Sequence, residues 1–197
     1  MWFFLTLLVF ALWTNAAVAT WEELEKLHFG GRWWRNNDDS MKHSWGIETF
    51  IVRFRGSTKL TMQIKSAYVG AYYTCQVDDG VEVKLYHDNA MDYFDVASVL
   101  VSNAEHVVRC GRNNEASWGA TTISGIVLDN SGELLQAVDH NAGNTMLRFE
   151  AIGDSITAGF KVTSNSASNP SMITNQDVFQ TYVRFIAYMP GVQTIIR

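Results

Sequence analysis

Clustered positive charge is missing from this chain. Its 197 residues carry 15 Lys and Arg against 20 Asp and Glu, a net charge of −5, and the basic residues are scattered. Nucleic acid is therefore not an expected partner. Metal-ligand spacing is missing too: His28, His43, His87, His106 and His140 form no close pairs, and the two cysteines, Cys75 and Cys110, are far apart. No metal site and no cofactor is expected from such a pattern. Asn-x-Ser/Thr is absent, since Asn169 is followed by Pro170. The one long apolar run, Trp2 to Trp13, is too short to cross a bilayer comfortably.

That run is followed by small residues ending in Ala17-Val18-Ala19. It reads as a secretory signal peptide over residues 1–19, with a secreted, extracellular product and no stable membrane span after cleavage. An uncleaved anchor is the other reading, because no Lys or Arg precedes the apolar run. Export makes a Cys75–Cys110 bridge one of two readings; the other is a pair of buried thiols, as the sequence does not say whether their strands are neighbours.

The apolar content of 47% is that of a folded protein. Trp21 to His28 suggests a helical turn ended by Gly30-Gly31, and Arg32 to His43, polar and aromatic without periodicity, suggests a loop. After Ser44 the signals are strands. Phe50, Val52 and Phe54 alternate with more polar positions, and so do Leu60, Met62 and Ile64. Tyr72–Val77 and Val81–Tyr86 flank Asp78-Asp79-Gly80, a hairpin signal. A weaker strand pattern covers Val96–Val101; Glu105–Cys110 reads as a short strand, and Thr121–Asp129 alternates, with Ile123 and Val127 facing opposite to Ile126 and Leu128. A short return strand starts at Leu134-Leu135. Short strands at intervals of about ten residues predict a mainly β protein, an all-β sandwich of residues 20–144.

The stretch Leu147 to Phe160 has another character. Leu147, Phe149 and Ala151, with Ile152, predict a short buried strand. Gly153 permits a sharp turn. Ser155 then falls at the strand's carboxyl end, where open α/β sheets place ligands, and its amide and hydroxyl point into one cavity, as suits a nucleophile that also stabilises an oxyanion. Gly153-Asp154-Ser155 by itself also reads as an ordinary turn. Beyond a polar stretch, Asn175 predicts the cap of a helix running from Gln176 to about Tyr188, with Asp177 in its first turn. Val192–Ile196 predicts a second strand. Alone, so short a segment cannot bury both faces of a parallel sheet, so weak docking on the sandwich or partial disorder is expected.

Gly153-Asp154-Ser155-Ile156-Thr157-Ala158-Gly159 resembles the first conserved block of the GDSL, or SGNH, hydrolases. The resemblance implies Ser155 as nucleophile and oxyanion amide, with Asp154 and Gly153 supporting the turn. Gly31-Arg32-Trp33, Ser44-Trp45-Gly46 and Phe54-Arg55-Gly56-Ser57 resemble the amino-terminal jelly roll of carbohydrate esterase family 2. So do Glu105-His106-Val107-Val108-Arg109 and Glu115-Ala116-Ser117-Trp118-Gly119. In that family the jelly roll precedes the hydrolase domain, the order found here. The resemblance implies a jelly-roll β-sandwich followed by residues 145–197 as an incomplete α/β, SGNH-type β-α-β segment. It implies a secreted serine esterase that deacetylates plant-wall polysaccharide, acetylxylan among the candidates, with acetylated glycan as partner.

Two departures follow. Lys161-Val162 replaces the small residues the family usually carries after its aromatic. No Asp-x-x-His block follows Ser155; the last histidine is His140. A serine without a base is a weak nucleophile, so this chain is expected to be truncated, as a fragment or a short form, and inactive alone. Trp33, Trp34, Trp45 and Trp118 read either as packing residues or as sugar-stacking faces. Trp34, between Trp33 and Arg35 in the expected loop, is the sugar-contact candidate. A non-catalytic carbohydrate-binding module is the alternative function. Asp38-Asp39 reads as solvated loop charge or as a calcium turn.

Overall fold

A computed structural model describes residues 24–46, 48–66, 70–129, 132–137, 147–151, 156–160, 162, 173–182 and 192–196. The expected leader lies outside the described residues. Two antiparallel sheets face each other. The first has the order β1(His28–Gly30), β4(Thr49–Arg55), β9(Glu105–Arg112), β6(Ala71–Val77), β7(Val83–His87), with β11(Glu133–Leu135) also pairing β4. The second has the order β2(Trp34–Arg35), β3(Met41–His43), β10(Thr121–Leu128), β5(Leu60–Ser66), β8(Tyr93–Ala97). Consecutive strands switch sheets repeatedly, as in a jelly-roll sandwich.

Alternation builds the core. Phe50, Val52 and Phe54 of β4 point inward against Leu60, Met62 and Ile64 of β5, joined by Tyr73, Val108, Ile123 and Ile126, all essentially without solvent contact. Inward and outward residues alternate because a pleated strand has a period of two. On β10 the period breaks. The pairing with β5 slips between Ile123 and Gly125, leaving Ser124 exposed as the extra residue of a bulge. The bulge resets the phase, so Ile123, Ile126 and Leu128 all face the core. The expected opposition of Ile123 to Ile126 and Leu128 is thereby corrected.

Cys75 and Cys110 stand directly opposite on β6 and β9 and form a disulfide with a Cα–Cα separation of 4.1 Å. The bond ties the middle of the sheet, and both residues belong to the core.

Other expectations shift. Arg32–His43 is not a loop throughout but holds the β2–β3 hairpin. There Asp39 sits at φ 64° and pairs with Arg35 at 2.5 Å, while Asp38 accepts from the Ser40 hydroxyl at 2.6 Å. These pairings occupy both carboxylates inside the turn. The strand expected at Val96–Val101 lies earlier, at Tyr93–Ala97. Leu27 donates back to the Leu24 carbonyl, closing a turn, but His28 already belongs to β1.

After the sandwich, β12(Leu147–Ala151) pairs in parallel with β13(Val192–Ile196). A parallel pair needs a crossover connection. Within it the helix does not begin at Gln176. The chain makes a 3-10 turn at Ile173–Asn175 and another at Val178–Gln180, is extended at Thr181 and helical at Tyr182; the remainder of the expected helix lies outside the described residues. Asp177, not Asn175, caps the second turn, accepting from the Phe179 amide at 3.1 Å.

Candidate functional site

Gly153, Asp154 and Ser155 lie outside the described residues, so the site is framed by what precedes and follows them. Strand β12 ends at Ala151. Residues 156–160 form a turn in which the Gly159 amide donates to the Ile156 carbonyl at 3.1 Å. Gly159 has φ +76°, and a Cβ there would stand 2.5 Å from the Asp177 backbone carbon and oxygen. Only glycine satisfies both demands. The second glycine of the Gly-Asp-Ser block is thus the point where the turn meets the crossover. The Asp177 amide donates to the Gly159 carbonyl at 3.2 Å, and the Thr157 hydroxyl bonds the Tyr182 hydroxyl at 2.8 Å.

The crossover is held in turn by the sandwich. Asp177 is 3% exposed. Its carboxylate accepts from Lys84 Nζ at 2.7 Å on β7 and from Asn113 Nδ2 at 2.7 Å just past β9. The Val178 amide donates to the Asn113 carbonyl at 3.1 Å, and Gln176 Nε2 donates to Glu115 Oε1 at 2.9 Å. Gly111 gives Phe179 room: a Cβ on Gly111 would lie 2.4 Å from Phe179 Cζ. Of the segment expected to dock weakly or to be partly disordered, residues 176–181 lie against the sandwich, while 163–172 and 183–191 lie outside the described residues. Gln176, Asp177, Val178 and Thr181 are buried, because the segment covers a sheet face whose polar groups it satisfies.

A second loop reaches the same place. Gly46 packs on Val178, with a Cβ position 3.1 Å from Val178 Cγ1, and Trp45 beside it is 38% exposed. Glu48 is the post around which this loop folds. Its Oε2 accepts from the Ser44 and Trp45 amides, each at 2.9 Å, and meets His43 Nδ1 at 3.2 Å. His43 Nε2 meets the Tyr73 hydroxyl at 3.0 Å, and Trp33 stacks on the imidazole at 4.1 Å.

His43, Glu48 and Tyr73 lie inside the protein, and burial governs their charges. Burial pushes the Glu48 carboxyl up to about 7 against the pull of the two amides. Burial, with Arg112 adding to it, holds His43 well below its ordinary value. Burial raises the Tyr73 phenol to about 12. A neutral imidazole donating from Nδ1 to Glu48 and accepting the Tyr73 hydroxyl at Nε2 fits these contacts. Arg112, also buried, donates to the Gly119 carbonyl at 2.6 Å. Arg112 Nε and Nη1 have no hydrogen-bond partner among the described residues.

Trp34, the sequence's sugar-contact candidate, lies on β2 rather than in a loop. It is 41% exposed, with Lys42 Nζ 5.5 Å from its ring centre. It belongs to the hairpin and makes no part of the clamp described above. Sequence reasoning missed the parts played by Asp177, Lys84, Asn113 and Glu48. The local cap at Asp177 was readable as an acid before a short turn; its partners on β7 and β9 left no local sign.

Comparison with known proteins matches residues 29–137 to the family described as carbohydrate esterase 2 N-terminal. Among curated proteins none matches the sequence. Among solved structures, a family two carbohydrate esterase from Cellvibrio japonicus is 17% identical with a TM-score of 0.73, over 87% of this chain and 49% of that one. One from Clostridium thermocellum, in complex with cellohexaose, is 22% identical with a TM-score of 0.73, over 86% and 50%. An acetyl xylan esterase from Butyrivibrio proteoclasticus is 14% identical with a TM-score of 0.67, over 87% and 45%. These likenesses establish the fold, and the chain spans about half the length of each structure.

Proposed function

Because the chain belongs to the carbohydrate esterase 2 N-terminal family, we propose that it supplies the sandwich and the nucleophile turn of an exported esterase that deacetylates polysaccharide. In this reading residues 1–19 direct secretion, 20–144 form the sandwich, and 145–197 begin an SGNH-type hydrolase domain. The Ser155 hydroxyl oxygen attacks the acetyl carbonyl carbon, the Ser155 amide steadies the oxyanion, and the sugar oxygen leaves carrying a proton. Water then releases acetate. Asp154 and Gly153 hold the bend. No histidine follows Ser155 among these 197 residues, so in this reading the chain alone does not turn over.

The observation that carries the reading is the clamp. The turn directly after Ser155 is joined through Gly159 to Asp177, and through Asp177 to Lys84 and Asn113 of the sandwich. A sandwich that merely tethered a neighbour would not need buried polar groups fitted to that turn. The test is acetate release from acetylated xylan by the chain and by Ser155→Ala, with and without imidazole as an external base. Release that needs imidazole and is lost in Ser155→Ala is expected. Equal release by both proteins under every condition would remove Ser155 from the chemistry.

A non-catalytic glycan-binding sandwich is the second reading, favoured by the exposure of Trp34 on a hairpin. It expects retention on insoluble polysaccharide, weakened by Trp34→Ala, and unaffected by Ser155→Ala.

A further inference from the structure

We propose that Trp45, a residue of the sandwich, is a sugar-stacking residue beside the turn that follows Ser155, binding a pyranose ring of the glycan. This rests on the reading of the protein as one that acts on polysaccharide. Three close approaches locate Trp45. Gly46 lies against Val178, the Val178 amide would be 2.8 Å from a Cβ on Gly159, and Gly159 closes the turn that begins one residue after Ser155. Trp45 and Phe160 therefore flank one continuous line of contact, Gly46–Val178–Gly159.

Both rings remain open to solvent although their neighbours are buried. Trp45 is 38% exposed and Phe160 is 37% exposed, while Gly46, Val178 and Gly159 are buried. Tyr182, half exposed, bonds the same turn through Thr157. Aromatic faces next to hydroxyl groups suit a sugar, whose ring presents apolar C–H faces edged by hydroxyls.

The tryptophan is also held in advance. Glu48 Oε2 takes both the Ser44 and Trp45 amides, and Glu48 itself is buried. A ring carried on a fixed backbone loses only its side-chain torsional freedom on binding, which favours affinity. Trp34 differs, because the Lys42 ammonium already lies near its ring.

The test is calorimetric titration of the full chain with cellohexaose and with soluble acetylated xylan. Trp45→Ala is expected to weaken binding about tenfold, the size of a well-placed aromatic contact. Trp45→Phe should keep most of the affinity, Trp34→Ala should cost less than Trp45→Ala, and thermal melts should show all of them folded. Binding is read without turnover, so a failure of the catalytic reading leaves this result readable. Parent-like affinity in Trp45→Ala, or a larger loss in Trp34→Ala, overturns the assignment alone. A parent chain that binds neither glycan overturns it together with the polysaccharide reading.

Discussion

The Lys84 ammonium meets the Asp177 carboxylate at 2.7 Å across 93 residues of chain. Asp177 is buried and Lys84 is about one-third exposed, so the pair is a half-sheltered one whose acid depends on its partners. Asp177→Ala also takes an acceptor from the Phe179 amide and from Asn113 Nδ2, which keeps only its bond to Thr74 Oγ1. A cost of about 2–4 kcal/mol is expected, concentrated in residues 156–182. Lys84→Ala, which leaves the Asn113 and Phe179 bonds in place, should cost about 1 kcal/mol. Amide hydrogen exchange checks this: protection should fall in that segment first and in β5 and β10 little.

Gly111 and Phe179 give a steric counterpart. A methyl group on Gly111 would lie 2.4 Å from Phe179 Cζ and 3.3 Å from Thr49 Cγ2. Gly111→Ala should lift Phe179 from the sheet and loosen the crossover by about 1–3 kcal/mol. Removing the ring makes room for the methyl, so Gly111→Ala added to Phe179→Ala should cost almost nothing further. Additive losses in thermal melts of the four proteins would show that Phe179 does not rest there.

Much of the sandwich was legible because its strands obey one rule. Phe50, Val52 and Phe54 alternate in sequence and in burial, and Asp78-Asp79-Gly80 marks the β6–β7 hairpin that forms. Alternation failed at Ser124, where an extra residue reverses the phase and no side chain announces it. The β2–β3 hairpin was illegible for a different reason. Its residues are largely exposed or half-buried, and it is held in the sheet by pairing of His43 with Thr121. The helix expected from Gln176 does not start there, because Asp177 turns to Lys84 and Asn113 and distant partners outweigh local propensity; Tyr182 is helical, and 183–188 lie outside the described residues. The family resemblance located the sandwich; Gly153, Asp154 and Ser155 lie outside the described residues.

The disulfide is expected to stabilise the sandwich chiefly by restricting the unfolded chain. Cys75 and Cys110 are 35 residues apart, and closing a loop of that length is worth about 4 kcal/mol in the chain-entropy account. The double substitution Cys75→Ala, Cys110→Ala also removes two packed sulfurs from the core. Denaturant melts should therefore show a loss of about 3–5 kcal/mol. The parent in reductant should lose a similar amount. A loss below about 1 kcal/mol would mean that the bridge adds little to a sheet already fixed by its ladder.

The Glu48–His43 contact makes a prediction about pH. Glu48, pushed up from 4.5 to about 7 by burial, binds a proton on folding, so its contribution is full below pH 4.5 and is lost as pH rises through about 7. His43, held well below 6.5 by burial and by Arg112, gives up a proton on folding, so its contribution is present above pH 6.5 and is lost as pH falls. Between pH 4.5 and 6.5 the two slopes oppose each other, and folding moves one proton from the imidazole to the carboxyl without net uptake. From these two groups stability should be nearly flat across that window. Glu48→Gln keeps an acceptor for the Ser44 and Trp45 amides but removes one slope. Its stability should then rise with pH by up to about 1.4 kcal/mol per unit until pH 6.5. Denaturant titrations at half-unit pH steps compare the two proteins, and parallel curves would mean that Glu48 is already ionised within the folded sandwich across the window.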